Sequence, residues 1–247
     1  MRRNRSSRSF YPIVLIFGAL LVIALALVML YMLERLSAEQ EEITAIDKVV
    51  SVGMEAKQDS QGWRPLFNGL TLDGWEITNF GPQGPVMVRD SSIILAFGDG
   101  PTGIRWTREF PVINYEIELE AMRIDGNDFF SAVTFPVRDE HCTFINGGWG
   151  GTLVGISSID GFDASENFTC TGFPFENGRW YTFRIRVDNE AIRCYINNEE
   201  VINVASHGHT FSVRSEVGLS RPLGIATWIT TGAVRNIRFR EIQMPSR

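Results

Sequence analysis

The chain has 247 residues, 44% of them hydrophobic and 21% charged, with a formal net charge of −6. That is ordinary globular composition carrying an apolar insert. All 29 acids but only 19 of the 23 Lys and Arg follow residue 33, so the chain beyond that point is near −10 and lacks the basic face that a nucleic-acid partner needs.

Residues 1–10 form a basic tail with Arg2, Arg3, Arg5 and Arg8 and no acid. From Tyr11 to Leu33 no residue is charged. At about 1.5 Å per residue this run crosses a hydrocarbon core of ~30 Å. Tyr11 and Tyr31 stand near its ends, where amphipathic rings favour the headgroup layer. The predicted element is one transmembrane helix over 11–33. It reads as a retained signal anchor, because the run exceeds a signal-peptide core of about 7–15 residues and no small-x-small cleavage site follows it. Glu34, Glu41 and Glu42 outweigh Arg35 on the far side. The charge asymmetry puts the N-terminus in the cytoplasm and the rest outside, in a periplasm or on a cell surface.

Residues 34–61 read as a juxtamembrane segment. Glu34 to Val52 is compatible with a helix, and Gly53 to Gly62 with a linker that holds the outer domain off the membrane. From residue 62 the apolar period becomes two. Tyr115–Ala121, Thr182–Val187 and Asn236–Ile242 alternate cleanly, as strands buried on one face do. Their outward residues are acidic on the first strand and basic on the other two, a pairing worth about 0.2–1 kcal/mol per opposed pair. Arg89–Ser92, Asp188–Glu190 and Asn197-Asn198 read as turns between short strands. Short strands without a long helical pattern imply an all-β, two-sheet sandwich over 62–243, with a short tail at 244–247. Cys142, Cys170 and Cys194 form no metal spacing; they permit one disulfide with a thiol left over, or serve as small buried side chains.

Three ordered blocks carry a resemblance. The first is Trp63-Arg64-Pro65-Leu66-Phe67-Asn68-Gly69 through Asp73-Gly74-Trp75; the second is Gly178–Ile185 continuing to Cys194–Val201; the third is Leu223–Trp228 through Arg235–Phe239. Together they resemble the 3-keto-disaccharide hydrolase domain family. The resemblance implies a concanavalin A-like (jelly-roll) sandwich that acts on glycosides or 3-keto-glycosides, a hydrolase by activity and a carbohydrate-recognising domain by partner. The middle departs from the family pattern. Phe130 and Pro136 stand where the family carries an amide and a guanidinium, and Cys142–Asn146 has no carboxylate at the position expected of the next strand. Of the first of these patterns Ser131 keeps its type.

The centre offers its own constellation. Asp125, Asn127 and Asp128 precede the altered strand, and Asp139, Glu140 and His141 follow it. Cleavage of a glycoside needs a general acid or base, and elimination beside a ketone needs a base for the acidified proton. Asp128, Glu140 and His141 are the catalytic candidates. His141 is also readable as a surface histidine, and as strand neighbours Glu140 and His141 would not both face a cleft unless they lie in a turn. Sugar recognition needs a flat aromatic face with amides or hydroxyls beside it. Trp149, among Gly147, Gly148, Gly150 and Gly151, offers such a face, with Asn146 and Ser131 as polar neighbours. The competing reading is a tight loop with Trp149 in the core. Asp160, Asp163 and Glu166 offer hard oxygen ligands to Ca²⁺ or another divalent metal, although acidic loops are commonly just solvated. His207 and His209 alternate around Gly208, and Asn167-Phe168-Thr169 fits a glycosylation sequon. Two functional alternatives stand beside the enzyme: a non-catalytic, lectin-like glycan-binding module and an envelope protein-interaction domain.

Overall fold

The computed structural model describes residue 25, residues 27–38, residue 40 and residues 58–242. The chain divides into two compact units, Met1–Glu55 and Ala56–Arg247. In the first, the described residues from 25 to 40 are helical, and Leu27 through Leu33 are exposed on every side of that helix. Among the described residues no helix is long and apolar enough to cross a membrane. Most of the 11–33 span, and most of the 34–61 linker, lie outside the described residues. The end of that linker proves to be part of the second unit: Asp59 Oδ1 accepts the backbone N–H groups of Gln61 and Trp63 at 2.8 and 2.9 Å.

The second unit is an all-β sandwich of two antiparallel sheets. Among the described residues one sheet has eight strands and the other seven. In chain order the strands are β1 (Arg64–Pro65), β2 (Trp75–Ile77), β3 (Val86–Arg89), β4 (Ser92–Leu95), β5 (Pro101–Trp106), β6 (Tyr115–Asp125), β7 (Ala132–Val137), β8 (Glu140–Gly147) and β9 (Leu153–Ser157). They continue as β10 (Thr171–Gly172), β11 (Trp180–Val187), β12 (Ala191–Ile196), β13 (Glu199–Ala205), β14 (Gly224–Trp228) and β15 (Thr231–Glu241). The larger sheet runs β13-β12-β11-β6-β15-β4-β3, with β1 added along β15; the smaller runs β10-β9-β8-β7-β14-β5-β2. The core lies between them, where Ile117, Leu119, Phe183 and Ile185 from one sheet share a cluster with Val133, Phe144, Ile156 and Ile225 from the other.

The three alternating segments fall in β6, β11 and β15, and their outward charges pair as the sequence predicts. β6 lies between the two basic strands, so Glu116 opposes Arg186 and Arg240, and Glu118 opposes Arg184 and Arg238. Arg238 reaches Glu118 at 2.6 Å and Arg235 reaches Glu120 at 2.7 Å. Trp63 closes the ladder, its ring 4.6 Å from the Arg238 guanidinium and 4.5 Å from that of Arg240. The rest of the opening block is also structural. Asn68 Oδ1 accepts the N–H groups of Leu70 and Thr71, and Trp75 Nε1 donates to the Leu66 carbonyl at 2.7 Å. Gly74 has φ 79°, and a Cβ there would stand 2.5 Å from the Trp106 ring, so no other residue fits.

The predicted turns hold. Asp90-Ser91 and Asn197-Asn198 are two-residue hairpin loops with positive φ at both positions, the geometry that matches strand twist. All three cysteines are free; Cys142 and Cys194 are buried in the core and Cys170 is exposed.

Candidate functional site

Along the smaller sheet, residues with the parity of Phe144 and Ile156 enter the core, and their neighbours face outward. Thr143 pairs with Ser157, Ile145 with Gly155, and Ala226 with Ala132 on that outer face. It is not bare. Ala164 and Phe129 pack over Ala132 and Ile145, and Ser220 and Val217 are buried nearby. The small outward residues are what let these segments lie close: a Cβ on Gly155 would meet Ala164 at 3.0 Å.

The covering leaves a cavity of about 300 Å³ open at the end of β8, β9 and β14. Ile145 and Ser157 form its floor; Asp128, Phe129, Trp149 and Trp228 form one wall, and Arg214, Glu216 and Val217 the other. Three aromatic rings beside two carboxylates and a guanidinium make an apolar surface with a few directed polar groups, the composition of a small-molecule site.

The first wall depends on the turn Gly147–Gly151 between β8 and β9. Gly147, Gly150 and Gly151 have φ of 82°, 92° and 101°. Trp149 is itself left-handed, at φ 46° and ψ 57°. That conformation costs a bulky residue about 1–2 kcal/mol and turns its ring outward, 46% exposed at the cavity edge. Strain of this kind persists where the surroundings enforce it. Beside this turn Asp128 Oδ1 accepts the Phe129 N–H at 2.7 Å, with the N–H groups of Trp149 and Gly150 near the same carboxylate. Burial pushes the Asp128 carboxyl above its ordinary value, against those amides and the nearby charge of Arg123. Phe129 and Trp228 complete the wall, with ring centroids 6.3 Å apart.

The second wall is an ion-pair chain. Ser157 Oγ donates to Asp163, Asp163 accepts Arg214, and Arg214 Nη2 reaches Glu216 at 2.7 Å. The Arg214 guanidinium holds Glu216 down at about 2. The cavity therefore carries one carboxyl raised above its usual range and one fixed as a carboxylate.

The structure divides the sequence-predicted site residues. Asp128 and Trp149 meet at the cavity. Glu140 and His141 are absent from its lining: they begin β8, five and four residues before Ile145 on the floor. Glu140 accepts the N–H of Phe211 at 2.8 Å, and burial and the charge of Arg221 pull His141 below its ordinary value. Ser131, just before β7, and Asn146 in β8 are fully buried, and Asn146 Nδ2 donates to the Ser131 carbonyl at 2.8 Å. Strand parity turns Asn146 away from the outer face.

The acidic loop does not gather a metal site. Asp160 accepts the Thr210 N–H and pairs with His209 Nδ1 at 2.7 Å, Asp163 binds Ser157 and Arg214, and Glu166 accepts the Asp163 N–H. Among the described residues no group of three His, Cys, Asp or Glu could hold a metal ion. The sequon fares similarly, because the Asn167 amide donates to the carbonyls of Ile156, Phe162 and Asp163. Sequence reasoning missed Phe129, Trp228, Arg214 and Glu216. Trp228 ends the third resemblance block and Phe129 adjoins Asp128; Arg214 and Glu216 sit in an irregular segment whose residues give no periodic signal.

The family model described as the 3-keto-alpha-glucoside-1,2-lyase-like domain matches residues 62–244. The chain belongs to this family. No curated protein matches it. Among solved structures, the lyase-like domain is similar to the Crh5 transglycosylase in complex with NAG, at 15% identity and a TM-score of 0.52, covering 77% of this chain and 88% of that one. It is also similar to a protein of unknown function with a galectin-like fold from Bacillus subtilis, at 11% identity and a TM-score of 0.51, covering 72% and 94%. Carbohydrate-binding module CBM66 from Bacillus subtilis aligns at 15% identity and a TM-score of 0.42, covering 68% and 96%. Identities this low speak to the fold alone.

Proposed function

We propose that the lyase-like domain binds a glycoside or 3-keto-glycoside in the cavity between Trp149 and Glu216 and cleaves its glycosidic bond, with Asp128 moving the proton. The observation that carries this reading is the Asp128–Trp149 wall: a carboxyl raised by burial, beside an outward ring on a left-handed backbone. An exposed indole offers a sugar ring an apolar face. A raised carboxyl can accept and return a proton near neutral pH. Where the substrate carries a ketone at C3, the C2–H is acidified. Asp128 would take that proton, the C–H electron pair would form the C1–C2 double bond, and the C1–O bond would break with its electrons leaving on the glycosidic oxygen, which then takes a proton. Glu216, fixed as a carboxylate, would accept sugar hydroxyls. The test is to incubate the chain with 3-keto-disaccharides and simple glycosides across pH and with added divalent metals. Release of the leaving sugar that Asp128→Asn abolishes supports the reading; no turnover of any of them sinks it.

A non-catalytic, lectin-like module is the second reading. The observation that favours it is that Phe130 is fully buried and Pro136 lies inside β7, where the family resemblance implies an amide and a guanidinium. Saccharide binding without turnover in calorimetry would select it.

The domain is further proposed to be held outside the cytoplasm by a helix over 11–33. The four early arginines and the exposed apolar side chains at 27–33 support this. Recovery of the chain in a carbonate-washed membrane fraction, with its domain open to external protease, is the expected result.

A further inference from the structure

Arg123, near the end of β6, is a buried cation that neither catalysis nor ladder pairing explains. It is 6% exposed. Nε donates to Asn177 Oδ1 at 2.5 Å, Nη1 to the Gly151 carbonyl at 3.1 Å and Nη2 to the Phe175 carbonyl at 2.9 Å. Its guanidinium lies 5.6 Å from the Phe130 ring centroid. Among the described residues it has no carboxylate within 4.0 Å, unlike Arg184, Arg186, Arg235, Arg238 and Arg240 on the same sheet. A buried guanidinium stays charged, and burying it without a partner is costly, so its placement calls for a physical reason.

The reason lies one turn away. Arg123 holds the last carbonyl of the Gly147–Gly151 turn, and the Asp128 carboxylate lies near the N–H groups of Trp149 and Gly150 within it. Cation and carboxylate thus stand beside one five-residue loop. The fit on the Arg123 side is close: a Cβ on Gly151 would stand 2.8 Å from Nη1. The charged groups that face Asp128 are Arg123 behind the turn and, across the cavity, Arg214 and Glu216, which are already bound to each other.

We infer that Arg123 is a positioning residue of the saccharide site: it fixes the Gly147–Gly151 turn and, through it, the outward ring of Trp149, with its own charge beside Asp128. The inference rests on the proposed function only for its consequence to saccharides. The arrangement itself is measurable without a ligand.

The experiment uses the full chain with 13C-labelled aspartate and 5-fluorotryptophan. The Asp128 and Trp149 signals are assigned by their absence in Asp128→Asn and Trp149→Phe. In Arg123→Met the Asp128 titration midpoint is expected to rise by about one pH unit, the lower end for loss of a nearby opposite charge, and the Trp149 fluorine line to shift toward its solvent-exposed value. In Arg123→Lys, which keeps the charge and loses the fork, the midpoint is expected to stay while the Trp149 line still moves. Should the methionine variant not fold, the lysine variant decides through the Trp149 line. An Asp128 midpoint unmoved in a folded Arg123→Met, or a Trp149 line unmoved in Arg123→Lys, overturns the inference. Failure of the proposed function looks different: both signals respond as expected and no saccharide binds.

Discussion

Asp128 and Trp149 line one cavity, and the Asp128 carboxyl, raised by burial, is drawn back toward its ordinary value by the N–H groups of Phe129, Trp149 and Gly150. The pair comes from different connections, β6–β7 and β8–β9, and meets over the outer face of the smaller sheet.

Trp149→Ala should weaken saccharide binding by about tenfold, the equivalent of about 1.4 kcal/mol of stacking. The ring is half exposed and its removal opens no core cavity, and alanine keeps the Cβ that strains a left-handed backbone, so the melting temperature should hold. Calorimetric titration and a thermal scan check the two halves separately.

Asp128→Asn should lower turnover by about 10²-fold or more while leaving affinity nearly intact, since the amide still accepts one of the turn's N–H groups. The wild-type rate should rise with pH through a limb set above the usual carboxylate range. The stability sign runs the other way. Asp128's folded value lies above its unfolded one, so its contribution is full below about pH 4 and is lost as pH rises through the raised value. A pH–rate profile paired with urea melts at each pH tests both signs.

Glu140→Gln and His141→Ala should leave saccharide turnover unchanged. Both residues begin β8 and neither lines the cavity. A large loss of activity in either variant, with folding intact by circular dichroism, would return the catalytic role to that end of the strand.

Asp188→Asn should cost roughly 2 kcal/mol at pH 7. Burial works to raise Asp188, but the N–H groups of Ala191 and Glu190 and the guanidiniums of Arg186 and Arg193 outweigh it and bring it down to about 2. That stability is present above about pH 4 and is lost as pH falls toward 2, so wild type and variant should converge there. Denaturant melts at pH 7 and pH 2.5 give the comparison.

Gly74→Ala should destabilise the domain by about 1–3 kcal/mol without touching the cavity. The new methyl meets the Trp106 ring at 2.5 Å on a backbone of φ 79°, and no residue of the opening block lines the cavity. Saccharide affinity of the folded fraction should therefore match wild type.

Much of the architecture was legible because it is local. A period of two reports which face of a strand is buried, and the segments at Tyr115, Thr182 and Asn236 announced β6, β11 and β15 with their charges already opposed. Asp90-Ser91 and Asn197-Asn198 marked hairpins because their residue types tolerate positive φ. The same parity rule, carried one step further, would have moved Asn146 from the site to the core, since it shares its face with Phe144.

The sequence by itself determined that this chain forms a sandwich of the 3-keto-alpha-glucoside-1,2-lyase-like kind, with Trp63 to Trp75 as its structural opening, and it offered Asp128 and Trp149 among several site candidates. It could not bring Arg214 and Glu216 to face Trp149, nor set Arg123 behind it. Those meetings depend on the lateral order β9-β8-β7-β14 and on irregular segments folded across the outer face. No local period encodes how strands distant in the chain lie side by side; that is fixed by the shared core they bury together.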